Sequence, residues 1–294
     1  MYINHNSMAG NVANTLTSHY SNLATSTERL SSGLRVNGAA DDAAGLAIRE
    51  LMRADIAALN QGVRNANDAI SLLQTADGAL GVIDEKLIRM KELAEQAATG
   101  TYDSTQRLMI ESEYQAMASE ITRIANATDF NGIKLLDGTL SSDTHNGKGL
   151  TSTGKMKIHF GTLNDSAEDY YYIQIGTATA SALGVGNQAD STSDAYTVST
   201  QAAAQKALVG INSAIVSKDK IRAHLGALQN RLENTITNLT TQSENLQAAE
   251  SRISDVDVAT EMTNFVRNQI LTQSAVAMLS QANSMPQMAM QLIH

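Results

Sequence analysis

Six histidines, His5, His19, His145, His159, His224 and His294, come first, because a transition-metal site needs imidazoles or thiolates converging at short spacing. No two of them are closer than 14 residues, and the chain has no Cys at all. That removes disulfides, thiolate nucleophiles and cysteine-based zinc sites together. Asp41 and Asp42 are adjacent carboxylates of the kind that share acid–base work. Ala43, Ala44 and Gly45 follow them, however, so acids at the entry of a helix explain the pair better. Ser32-Gly33 and Gly161 lack the strand, Gly-rich turn and helix that a phosphate loop requires. Tyr170, Tyr171 and Tyr172 could stack on a sugar or a base, but alternation along a strand accounts for them equally simply. The expectation is a protein without catalytic residues, metal ligands or cofactor.

The 294 residues carry a net charge of -9, which leaves nothing to neutralise phosphates, so nucleic acid is excluded as a partner. No run of 18 apolar residues occurs, and membrane insertion as a helix is excluded with it. Met1–Ser18 has neither Lys nor Arg nor an apolar run, so no cleavable secretory signal is expected. A single Pro suits long uninterrupted helices rather than turn-rich sandwiches.

Three stripes supply those helices. Over about 45–98, Leu59, Val63, Ala66, Ile70, Leu73, Ala76, Leu80, Ile83, Leu87, Met90, Ala94 and Ala97 alternate by threes and fours. Gly78 and Gly81 weaken this helix locally, and Gly100 is a plausible stop. A second helix, capped by Asp103 or Ser104, puts Ile110, Tyr114, Met117, Ile121 and Ile124 on one face and ends by Thr128–Gly132. In the third, Leu225, Leu232, Leu239, Leu246 and Ile253 recur at strict sevens, with Thr235 and Gln242 polar inside the companion row. A three-helix coiled bundle over 59–97, 110–124 and 221–256 buries all three, with Leu73, Leu80 and Leu87 facing the five heptad residues. Between them, 155–161 and 169–175 alternate as a β-hairpin, and 181–204 reads as a variable surface loop.

The ends differ from all this. Residues 1–27 contain no charged side chain, and from Val258 to His294 only Glu261 and Arg267 are charged. Apolar residues still recur at helical spacing, through Leu16, Tyr20, Leu23, Leu30 and Leu34, and through Met262, Val266 and Ile270, a row that Phe265, Leu271, Val276 and Leu279 broaden. A solvated helix normally carries charge on its outer face. Helices without one are suited to being surrounded by other helices, and so become ordered in an assembly.

The same ends carry a resemblance. Glu28-Arg29-Leu30-Ser31-Ser32-Gly33-Leu34-Arg35-Val36-Asn37, then Ala40-Asp41-Asp42-Ala43-Ala44-Gly45-Leu46-Ala47-Ile48, closely resembles the N-terminal signature of bacterial flagellin. Arg64-Asn65-Ala66-Asn67-Asp68, Thr75-Ala76-Asp77-Gly78-Ala79-Leu80 and Phe130-Asn131-Gly132-Ile133-Lys134-Leu135-Leu136 are similar to later motifs, in order. Leu225–Leu232, Ser251–Asp257, Ala259-Thr260-Glu261-Met262 and Gln281-Ala282-Asn283 continue the likeness, which covers 1–138 and 205–294.

The resemblance implies a mainly α fold and a structural role. Terminal segments 1–41 and 257–294 would pair into the inner tube of a hollow filament, using Leu16, Tyr20, Leu23, Leu30, Leu34, Met262, Val266 and Ile270. Rod segments 42–180 and 205–256 would pack outside them, around the variable loop 181–204. Ser32–Gly45 would connect the layers, with latitude at Gly33, Gly38 and Gly45. Large outer domains are missing, making this a short form. The implied function is a self-polymerising subunit of an extracellular flagellar filament, the propeller of swimming motility. Implied partners are further copies of itself, an export chaperone at the C-terminal helix, the flagellar secretion apparatus, and the filament cap and hook–filament junction proteins. A host toll-like receptor is a further one, with Arg89, Leu93 and Glu113 as candidate contacts. The alternatives are a hook–filament junction protein and, from another class, a cytoplasmic coiled-coil scaffold, which would need charged heptad flanks.

Overall fold

The computed structural model describes residues 6–146, 154–166, 168–186 and 197–293. The chain is mainly α-helical. Its elements are α1 (Ser7–Ser32), α2 (Ala43–Ala98), α3 (Ser104–Ala127), β1 (Asp129–Phe130), β2 (Ile133–Lys134), β3 (Met156–His159), β4 (Tyr170–Ile173), α4 (Ala180–Leu183), α5 (Gln201–Ser254) and α6 (Val258–Ile293). They divide into two compact units, one of residues 57–243 and one of 1–56 with 244–294.

Helix ends follow local chemistry. Asp103 caps α3 by accepting from the Ser104 amide, while the Gln106 side chain returns to the Asp103 amide, a reciprocal capping box. The Asp42 carboxylate accepts from the Gly45 amide (2.9 Å), and Asp41 accepts from the amides of Asn37 and Gly38. Asp42 therefore serves the helix entry, and Asp41 closes the connector turn before it. In α2 the helix runs through Gly78 and Gly81 without a break.

The 57–243 unit has one core. In α2, Leu59, Ala66, Leu73, Ala76, Leu80, Ile83, Leu87, Met90, Ala94 and Ala97 are each at most 2 % exposed. Ile110, Tyr114 and Ile121 of α3 and Leu225 and Leu232 of α5 join them, while Leu239 is 7 % exposed. The α5 heptad is thus buried as far as Leu239. Leu246 and Ile253 belong to the other unit and are half-buried there. Thr235 is half-buried and Gln242 exposed, so the polar positions fall where the seam opens.

The β3–β4 hairpin is antiparallel, pairing Met156 with Ile173 and His159 with Tyr170. Its two faces separate the tyrosines. Tyr171 turns with Ile158 toward α5, under Arg231, whose guanidinium lies 3.5 Å from the ring centre. Tyr170 and Tyr172 turn outward beneath Lys157 and Lys155. Gly62 lets the hairpin seat on α2, because a Cβ there would stand 2.0 Å from the Phe160 carbonyl oxygen. Next to it the Asn65 amide donates to the His159 carbonyl (2.8 Å).

Three features depart from the expectation. A second hairpin, β1–β2, turns through Asn131 (φ 51°) and Gly132 (φ 80°), and Asn-Gly is the sequence signal for that turn. Helix α5 starts at Gln201, four residues ahead of the expected segment 205–256 and well ahead of its heptad run, because Ala203, Ala204, Ala207 and Ala214 pack as closely as larger side chains do. Third, 181–204 is not a surface loop where it is described. Leu183, Val185 and Val198 are 6 %, 1 % and 0 % exposed, and the Val198 amide donates to the Glu111 carboxylate. Residues 187–196 lie outside the described residues.

Candidate assembly surface

In the unit of 1–56 and 244–294, α1 and α6 pack antiparallel. The Asn6 side-chain amide donates to the Ala282 carbonyl (2.8 Å) at one end, and Arg29 reaches Glu261 (3.8 Å) at the other. The inward row of α6 is Glu261, Phe265, Asn268, Thr272, Ala275, Leu279 and Ala282, a strict alternation of fours and threes. Facing it on α1 are Ala9, Val12, Leu16, His19, Leu23, Ser26 and Leu30. The deepest of these are small or polar, with Ser26, Thr272, Ala275 and Ala282 between 4 % and 9 % exposed. Small residues let the backbones approach, and large ones are left over for the outside.

The expected terminal residues therefore separate. Leu16, Leu23 and Leu30 lie half-buried in the α1–α6 seam, and Leu34 is half-buried beside it. Tyr20, Met262, Val266 and Ile270 face away from it, at 53 %, 45 %, 44 % and 56 % exposure. Val276 (47 %) and Met278 (60 %) extend that outward surface. Of the apolar positions expected on α6, Phe265 and Leu279 lie in the seam and Met262, Val266 and Ile270 on the outward side. Phe265, not Val266, meets α1.

Between α1 and α2 the chain is tied to the end of α5. Leu34 bridges Asp255, the Arg35 amide donates to the Ser254 carbonyl (2.7 Å), and the Val256 amide donates to the Gly33 carbonyl (3.0 Å). Buried Arg49 donates to the Val36 carbonyl (2.8 Å). Of the three connector glycines only Gly33 needs its freedom, closing α1 at φ 74°. Gly38 has an ordinary backbone, and Gly45 is helical, its missing side chain leaving room for the Asp42 carboxylate.

The candidate receptor residues lie in the other unit. Arg89 donates to Glu113 through Nε (2.9 Å) and Nη2 (2.8 Å), and to Glu92 through Nη1 (2.9 Å). The Glu113 hydrogen bond holds the Arg89 guanidinium above its usual pKa. Leu93, by contrast, is 1 % exposed and belongs to the α2 core. Four residues past Arg89 it has turned inward with Met90 and Ala94, so it is not a surface contact.

Among the described residues no three His, Cys, Asp or Glu side chains gather as a metal site. Among them, no helix is long and apolar enough to cross a membrane. The buried charge at Lys218, 2 % exposed, is met by Asp84 (2.6 Å) and Asp219 (2.7 Å). Burial pulls its pKa down, but the two carboxylates outweigh this and hold it above the ordinary lysine value. Beside it Arg222 pairs with Asp77 (2.7 Å), a cluster that ties α5 to α2.

Two family models match the chain. The bacterial flagellin N-terminal helical region matches residues 3–141, and the bacterial flagellin C-terminal helical region matches 208–293. A flagellin of Bacillus subtilis is 44 % identical over 309 residues, covering all of both chains. The flagellar filament 33 kDa core protein of Treponema phagedenis is 41 % identical over 293 residues, again covering all of both. Among solved structures, a putative flagellar hook-associated protein from Vibrio parahaemolyticus superposes with a TM-score of 0.56 at 16 % identity. That match covers 73 % of this chain and 100 % of the other, a likeness of fold alone.

Proposed function

The chain belongs to the bacterial flagellin family, and on that premise we propose which of its surfaces its polymer uses. It is a structural subunit that polymerises into the flagellar filament, and it is not an enzyme. The outward rows of the α1–α6 pair, Tyr20, Met262, Val266 and Ile270 foremost, are the surface that successive copies cover. The observation that supports this is their exposure on helices almost free of charge. A helix with water permanently on that face would be expected to carry Lys and Glu there. Leu16, Leu23, Leu30 and Leu34 serve the same surface indirectly, by holding α1 against α6 and the connector.

In this reading 1–41 and 257–294 form the inner tube, and 42–180 and 205–256 the rod segments around it. Export proceeds through the flagellar secretion apparatus without a cleaved signal, with a chaperone covering the C-terminal helix beforehand. The cap and the hook–filament junction proteins meet the same helices at the filament's two ends. Where the bacterium lives with an animal host, the exposed Arg89–Glu113 pair is the contact for a toll-like receptor.

The test is polymerisation of the Met262→Asp/Ile270→Asp double variant. Circular dichroism should remain that of the parent, since neither side chain packs on α1. Light scattering and electron microscopy of seeded subunits should show no filaments. Filaments of normal length and yield would overturn the assignment.

A further inference from the structure

Four methionines of the terminal helices have their sulfur on the outside. Met8, Met262, Met278 and Met288 are 57 %, 45 %, 60 % and 47 % exposed, whereas Met90 of the α2 core is at 0 %. The bond from Asn6 to Ala282 sets the start of α1, and Met8 with it, across from the stretch of α6 that bears Met278 and Met288. With no Cys and no Trp in the chain, exposed thioethers such as these are its most readily oxidised kind of group.

We propose that Met262, Met278 and Met288 are peroxide-sensitive modification sites that decide whether a subunit can join the polymer. The idea rests on the assembly surface assigned above. Each reduced thioether is apolar and adaptable, which suits a face that is wet in the free subunit and covered in the polymer. The sulfur lone pair attacks one oxygen of hydrogen peroxide, an S–O bond forms and the O–O bond breaks. The proton passes to the departing hydroxide. The products are one sulfoxide and one water, with sulfur oxidised by two electrons and peroxide reduced by two.

The consequence is physical. A sulfoxide oxygen is a strong acceptor, and burying it without a donor opposes association. The only cation on α6 is Arg267, so a buried sulfoxide has to compete for the uncharged amides and hydroxyls that the packed helices already use. Oxidised subunits therefore stay out of the polymer until the sulfur is reduced again.

The experiment uses the full-length subunit. It is treated with hydrogen peroxide, cleared with catalase, mapped by mass spectrometry and seeded with untreated filament fragments. The oxidised protein should need a subunit concentration about tenfold higher for growth, and a methionine sulfoxide reductase should restore the original value. A Met262→Leu/Met278→Leu/Met288→Leu variant should grow equally well before and after peroxide. Met109→Leu should stay as sensitive as the parent, although Met109 is 69 % exposed on α3. Unchanged growth of the oxidised parent, or unrelieved inhibition after enzymatic reduction, would overturn the proposal. Equal peroxide sensitivity of the triple-leucine variant would overturn it too. Failure of the untreated parent to grow would instead overturn the assembly reading beneath it.

Discussion

Leu239→Asp tests the register of α5 against the hairpin. Leu239 is 7 % exposed and stands beside Phe160 and Tyr171, at a cleft of about 740 Å³ that also holds Arg231, Asn234, Asn238 and Gln242. Removing the side chain forfeits about 2–3 kcal/mol of burial. A carboxylate in its place must then be desolvated or paired, and the neighbouring amides and guanidinium offer partial relief. A total of about 3–5 kcal/mol follows. At about 2–4 °C per kcal/mol for a unit of this size, the first melting transition should fall by about 10 °C. Circular dichroism at 222 nm of the full-length chain reads it. The pH dependence carries a sign. Burial raises the new carboxyl's pKa above its unfolded value, so the penalty is full above the folded pKa and shrinks as pH falls through it. The gap to the parent, measured at each pH, should therefore narrow between neutral and acid conditions. A midpoint within 2 °C of the parent at pH 7, or a gap that widens on acidification, would refute the reasoning.

Three further substitutions have expected outcomes. Gly62→Ala should destabilise the 57–243 unit by about 1–2 kcal/mol, because the added Cβ meets the Phe160 carbonyl at 2.0 Å. Gly78→Ala, with nothing within 4 Å of its Cβ, should stabilise by up to about 1 kcal/mol, and thermal melts that reverse this order would count against the hairpin's seat. Arg89→Ala should leave the melting midpoint unchanged, since both Arg89 and Glu113 are about half exposed. It should lower the response of reporter cells carrying the host receptor to depolymerised subunit, and an undiminished response would remove that partner.

Long periodic runs were legible over most of their length. The α2 stripe is buried at all but Val63 and Ile70, which are half-buried, and of the two cap candidates Asp103 caps α3. The β3–β4 hairpin lies within its expected range because alternation of Met156, Ile158 and Phe160 with Lys157 and His159 has no helical counterpart. Where the pattern rests on alanine it was harder to see. Ala203, Ala204, Ala207 and Ala214 extend α5 backward, yet alanine is as common on a helix's wet face as in its seam. Val185 and Val198 sit among Gly, Ser and Thr that read as loop, and only the neighbouring α3 and α5 surfaces make them core.

The sequence by itself determined that the chain is built of long helices, that its ends lack a charged face, and that its motifs belong to a filament-forming family. Spacing and charge are local properties, and each residue carries them whatever it packs against. Only the tertiary structure decided which side of α6 is which. Phe265, Val266, Ile270, Leu271, Val276 and Leu279 lie all round that helix, so apolar spacing points in no single direction. The choice falls to the row in which Thr272, Ala275 and Ala282 let α1 come close, and closeness between two backbones belongs to the pair. For the same reason Leu93, four residues from exposed Arg89, is a core residue. Its burial is set by the helices packed over it, not by its spacing along its own.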